Sequence, residues 1–280
     1  MNKNDLPNIG TVEFAEIDGL SIRFARTGVS KGVPIILCAP WPESIYSFYR
    51  LAPLLAQEYP IILVDLPGFG LSQSRPAVMA PEAMGDFFIK LLNHFGIKRV
   101  HVVAPDVGTL VVLFAASKQP ELFESLVIGG AAMRADLAAG VLKDLVYSPA
   151  GSLADVGSDG VKPYLDHASL LTAPAIIEDF RAASAGRRLE EATQFVRMYI
   201  QDCPKLEPLL SKIKTASLII AGKNDAIVPS VNSQFLADRL PNNKNVLLDA
   251  DHRAWEEAAD EYNKTIVSWF GGDYRLLVKE

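Results

Sequence analysis

Between Val102 and Val112 the sequence reads Val-Val-Ala-Pro-Asp-Val-Gly-Thr-Leu-Val-Val. An apolar run of strand character passes through small-x-Asp-x-Gly straight into a second apolar run of helix character. No polar stretch separates the two, so the chain must turn within a few residues and bury both flanks. Such a strand–tight turn–helix unit suits a sheet covered by helices. It is also the elbow on which a nucleophile can be displayed.

The residue at the apex is Asp106. An Asp between a strand and a helix is also a favoured N-cap, and its charge complements the helix dipole. The residue type decides the chemistry open to the elbow. A carboxylate with a reference pKa near ~3.9 is ionised at neutral pH and is ready to attack, whereas a serine needs a base.

The elbow repeats a rhythm found along most of the chain. The segment Val12 to Arg26 alternates and is broken by Asp18-Gly19, the signature of a hairpin. Short apolar runs follow at 34–38, 61–64, 100–103, 126–128, 218–221 and 246–248. They suit strands buried on both faces, as in a parallel sheet. Helical patterns lie between them, near 45–57, 81–95, 108–118, 230–239 and 255–270. The expected architecture is α/β, a mostly parallel doubly wound sheet. The rhythm breaks at 131–205, which looks helical with a soft stretch from Ser148 to Gly160. We therefore expect a core of 1–130 and 206–280 with a helical cap of 131–205 inserted into it.

Composition narrows the function. The chain has 280 residues, 49% hydrophobic and 21% charged, with a net charge of -6. That is enough chain for one large core with an insert. The acidic balance, without a basic cluster, argues against nucleic acid. Cys38 and Cys203 make no disulfide framework. No apolar run is long enough to span a membrane, and Met1 to Pro7 has no apolar signal core. The expectation is a cytoplasmic protein, monomer or homodimer, that needs no cofactor or metal.

Three further segments fall where an elbow enzyme would use them. A strand-like run ends at Gly222-Lys223-Asn224-Asp225, so Asp225 can hold a histidine in its working tautomer. His252 follows the last strand pattern and precedes the last helix. His94 and His101 lie in helix and strand patterns, and His167 lies in the cap. The loop Ala39-Pro40-Trp41-Pro42 follows an early strand. The backbone N–H of Trp41 can point at a developing oxyanion together with that of Val107 at the helix start, whereas the two prolines have none to give.

Together these segments resemble the α/β-hydrolase fold family, and within it the aspartate-nucleophile branch of epoxide hydrolases and haloalkane dehalogenases. Trp41-Pro42-Glu43-Ser44 looks like the family's His-Gly-aromatic-Pro motif. The run Asp65-Leu66-Pro67-Gly68-Phe69-Gly70-Leu71-Ser72 looks like its Asp-x-x-Gly-x-Gly-x-Ser loop. Gly222 to Pro229 resembles the acid loop, and His252 with Glu257 the histidine segment. The order nucleophile, acid, base is also the family's. The departures are Ala39-Pro40 for His-Gly, Pro105 for the His before the nucleophile, and Val107 where the branch has Trp or Arg. Loss of that Trp counts against a haloalkane dehalogenase.

The resemblance implies an enzyme in which Asp106 attacks an sp³ carbon of a small hydrophobic epoxide. A cap tyrosine (Tyr147, Tyr164 or Tyr199) protonates the leaving oxygen. His252, oriented by Asp225, then activates water against the ester. Asp136 is the reserve candidate for the acid. Three alternatives stand beside it: a haloalkane dehalogenase, general-base lyase, cyclase or lactone chemistry in the same pocket, and a non-catalytic binding module.

Overall fold

A computed structural model describes residues 5–277. Eight strands form a single sheet: β1 (Thr11–Ile17), β2 (Leu20–Gly28), β3 (Ile35–Cys38), β4 (Pro60–Val64), β5 (Val100–Pro105), β6 (Phe123–Gly129), β7 (Ala216–Gly222) and β8 (Asn243–Leu248). Their order is β1-β2-β4-β3-β5-β6-β7-β8. The hairpin expected around Asp18-Gly19 forms with Ile17 opposite Leu20, and both turn residues take positive φ. From β4 to β8 every pairing is parallel. The inner strands β3 and β5 are buried along their full length, as their unbroken apolar runs require.

The helices are α1 (Ala52–Leu55), α2 (Pro81–His94), α3 (Val107–Lys118), α4 (Gly140–Val146), α5 (Lys162–Ala168), α6 (Pro174–Ala183), α7 (Arg188–Arg197), α8 (Tyr199–Leu210), α9 (Val231–Ala237), α10 (Ala254–Glu257) and α11 (Ala259–Phe270). Two expectations need correction. The helix read over 45–57 is a 3₁₀ turn at Ile45–Phe48 and the separate α1. Pro53 has no N–H to bond back into the preceding turn, so one continuous helix cannot form. The helical region read as 131–205 runs on to Leu210, because α8 crosses that boundary. No strand lies between β6 and β7.

The sheet order positions the site. Leaving β3, the chain steps one way to β4 and then crosses to β5 on the other side, so the order reverses between β3 and β5. Crevices at the carboxyl ends of strands open at such a reversal. Here it brings the loop after β3, with Trp41, beside the turn after β5, with Asp106.

A loop after β4 supports the same end of the sheet. Asp65 is fully buried and accepts the N–H groups of Ile45 (2.8 Å) and Leu71 (2.9 Å). It also pairs with Arg23, whose guanidinium forks onto Asp179 of α6 at 2.8 and 3.0 Å. Gly70 stands at φ +50 with its backbone against the Asp65 carboxylate, and a Cβ there would lie 2.0 Å from that group. Gly70→Ala is therefore expected to destabilise the fold by roughly 3 kcal/mol or more. Thermal unfolding checks this, and an unchanged Tm would contradict the account of the loop.

Candidate active site

The elbow forms as the sequence implies. Asp106 takes φ 53, ψ -132, a conformation that costs a non-glycine residue of order 1–3 kcal/mol. Its N–H donates to Gly129 O at 2.8 Å. Thr109 Oγ1 ties the same corner by accepting Gly129 N–H at 2.9 Å. Gly108 lets α3 pack close, since a Cβ there would lie 3.0 Å from Ala104 and 3.3 Å from Cys38. The capping interpretation of Asp106 fails, because its side chain makes no cap hydrogen bond. Instead Oδ2 accepts the Trp41 N–H at 2.7 Å. Glu43 N–H donates to Pro40 O at 3.1 Å, closing the turn that aims Trp41. Val107 N–H, the first of α3, has no acceptor inside the helix.

The other Asp106 oxygen faces the histidine, with Oδ1 3.7 Å from His252 Nε2. His252 Nδ1 lies 2.8 Å from Asp225 Oδ2. Asp225 Oδ1 is fixed by the N–H groups of Ile227 (2.8 Å) and Val228 (2.7 Å). The loop bearing His252 approaches because Gly222 has no side chain; a Cβ there would lie 1.9 Å from Asp251 O. Asp136, the reserve acid, is set aside by this geometry. It is exposed and bound to Arg134 at 2.8 Å, while Asp225 holds the histidine.

Burial acts to lower the His252 pKa. The hydrogen bonds and charges of Asp106 and Asp225 outweigh burial and raise it to about 10. The imidazole is therefore cationic at neutral pH, balanced between two carboxylates. His101, read as structural, is buried against Ser125 Oγ at 2.8 Å, and burial pushes its pKa down to about 4.

A cavity of about 470 Å³ opens over Asp106. Trp41, Pro42 and His252 line it, together with the aliphatic Val141, Leu142, Leu145, Leu153, Val161 and Leu189. The three candidate tyrosines separate. Tyr147 is 55% exposed and lies outside the lining. Tyr164 lines the cavity, but its hydroxyl donates to Glu43 Oε1 at 2.7 Å. Tyr199 is buried at the start of α8 outside the lining; burial and then the charge of Asp106 raise its pKa well above the usual value. Among the described residues its hydroxyl makes no hydrogen bond.

Sequence reasoning missed a buried charge cluster beside the site. Glu43 is fully buried and accepts Arg253 Nε at 2.7 Å and Trp255 Nε1 at 2.9 Å. Arg253 also reaches Thr172 Oγ1 at 3.2 Å. The pair links the Trp41 loop to the His252 loop, and Tyr164 and Thr172 add the helical segment to it. The available signal was position alone, since Glu43 and Arg253 adjoin the two motifs. No group of three or more His, Cys, Asp or Glu among the described residues is arranged to hold a metal ion.

The α/β-hydrolase fold model matches residues 33–156, which include strands β3 to β6, the Trp41 loop and the elbow. The chain has the α/β-hydrolase fold. It is 26% identical to the uncharacterised hydrolase YugF of Bacillus subtilis, over 81% of this chain and 85% of that one. A soluble epoxide hydrolase of Corynebacterium sp. is 30% identical over 41% of this hydrolase and 39% of its own length. Among solved structures, epoxide hydrolase CorEH superposes with a TM-score of 0.78 at 18% identity, covering 93% of this chain and 98% of that one. At that identity the likeness is one of fold. No helix among the described residues is long and apolar enough to cross a membrane.

Glu256, next to this cluster, is buried with neither carboxylate oxygen hydrogen-bonded. Burial, followed by the charge of Glu43, raises its pKa from 4.5 to about 7. A raised carboxyl pKa contributes stability that is full below the unfolded value and lost as pH rises through the folded one. Glu256→Gln should therefore match the parent below about pH 4.5 and exceed it by ~1–3 kcal/mol at pH 8. Denaturant unfolding at the two pH values checks this. A pH-independent difference would contradict it.

Proposed function

We propose that this hydrolase opens small hydrophobic epoxides through an alkyl ester on Asp106. The observation that carries the reading is the suspension of one carboxylate between two different partners, the Trp41 N–H on Oδ2 and His252 on Oδ1. A serine-type site would place a hydroxyl there with its histidine as base. A carboxylate nucleophile needs no base, and its attack on an ordinary ester would give a high-energy anhydride. An sp³ carbon is the matching electrophile. The partial likeness to a soluble epoxide hydrolase supports the same choice.

The steps balance as follows. Oδ1 bonds to a ring carbon, the carbon–oxygen bond breaks, and the freed oxygen takes the Tyr199 proton. We assign Tyr199 over Tyr164, although Tyr164 lines the cavity and Tyr199 does not, because the Tyr164 proton is engaged by Glu43 while the Tyr199 hydroxyl has no partner among the described residues and feels the charge of Asp106. Esterification removes the negative charge of Asp106, one of the two supports of the cationic His252. The imidazole then gives up its proton, which restores Tyr199, and becomes a base at the stage that needs one. Water attacks the ester carbon while His252 takes its proton. Oδ2 carries the oxyanion against the N–H groups of Trp41 and Val107. Collapse breaks the bond between the ester carbon and the alkyl-bearing oxygen, which takes the second proton of the attacking water, so the diol leaves and carboxylate and imidazolium are regenerated. The helical segment between β6 and β7 serves as the cap that closes the cavity.

One observation favours a second reading. The indole N–H of Trp41, a residue that lines the cavity, is buried without a partner. Such a donor can stabilise a departing halide, as a haloalkane dehalogenase requires, so alkyl halides belong in the substrate panel.

His252→Gln should still form the ester but not release it, giving one adduct mass on the Asp106 peptide and a kcat lowered by ~10²–10⁴. Substrate consumption by that variant without an adduct would contradict the ester. Tyr199→Phe should lower the rate of adduct formation about 10²-fold or more, and Tyr164→Phe only a few-fold. The reverse order, read by rapid quench, would move the proton donor to Tyr164.

A further inference from the structure

We propose that the cavity selects chains that are uncharged or cationic at their outer end and discriminates against carboxylates. This rests on the reading of the cavity as the substrate site. Burial orders the cavity into an inner and an outer end. Asp106 and Trp41 are each 7% exposed and His252 9%, whereas Val141 is 53% exposed and the His167 side chain 54%. The walls between them are aliphatic, so a bound chain runs from the reacting carbon outward to the rim.

The charges along that path are uneven. At the rim stand Asp251, which is exposed, and Glu257. Glu257 Oε2 accepts the Asp251 N–H at 2.6 Å, and its Oε1 lies 3.4 Å from His167 Nε2. The Asp251 carboxylate has no cation paired with it among the described residues. The two cations deeper in the lining are already matched. His252 sits between Asp106 and Asp225, and Arg253 is held by Glu43. Arg253 Nη1 has no partner, but it is shut off from solvent. A carboxylate in this cavity therefore meets no free cation and lies against an acidic rim. A hydroxyl loses nothing there, and an ammonium gains.

The test uses medium-chain terminal epoxides of equal length ending in a hydroxyl, an ammonium or a carboxylate. Their diols serve as inert ligands, with affinity read by displacement of a fluorescent alkyl probe. The carboxylate diol is expected to bind about fivefold or more weakly than the hydroxyl diol at low salt, with the gap narrowing at high salt. Asp251→Lys, at an exposed rim position, should close the gap. Carboxylate binding equal to or tighter than hydroxyl binding would overturn the inference, as would no binding by any diol. The proposed reaction fails separately: ranked diol binding without epoxide turnover would leave the rim assignment standing and remove the ester chemistry. Turnover with the carboxylate favoured would do the opposite.

Discussion

The site depends on one strained residue. Asp106 occupies a left-handed backbone conformation between a buried strand and a buried helix, at a cost the surroundings must offset. They do so with Gly129 O on its N–H and Gly108 against Ala104 and Cys38. In that conformation the side chain projects from the carboxyl edge of the sheet instead of folding back to cap its helix. The sheet order then supplies Trp41 from β3 on one side, and the loops after β7 and β8 supply Asp225 and His252 on the other.

The second constraint is charge. Three ionisable groups sit in a row, with a cationic imidazole between two carboxylates. The arrangement is stable at rest because the single cation serves both anions. In the proposed reaction it changes on esterification of Asp106, since the imidazole then loses one anion and its basicity moves toward the range useful for catalysis. A parallel balance operates behind the site, where Glu43 neutralises Arg253 at 2.7 Å in a fully buried setting. Removing either partner would leave a bare buried charge, which is why such pairs hold loops in place even where they add little net stability.

Much of this was legible in the sequence, for reasons that can be named. The elbow showed because apolar runs and small residues at 102–112 leave the backbone few alternatives. Asp225 and His252 showed because each follows an apolar strand run, and strand ends converge on one edge of a parallel sheet. The helix read over 45–57 misjudged Pro53, whose missing N–H divides the segment. The boundary at 205 fell inside α8, whose buried positions run past it from Cys203 to Leu206 and Leu210 without a break. Glu43 and Arg253 lie 210 positions apart, and no local pattern signals a pairing at that range. Nor could residue type rank Tyr147, Tyr164 and Tyr199. Exposure separates the first, and the hydrogen bond to Glu43 separates the second.

The central claim is the covalent ester on Asp106, and a single turnover in ¹⁸O-water tests it most directly. Water that attacks the ester carbon leaves its oxygen in the enzyme. The account predicts one label in the peptide containing Asp106 after one turnover of an epoxide, and none in the Asp106→Ala variant. Epoxide conversion with the label found in the diol alone would contradict it and assign Asp106 to general-base chemistry.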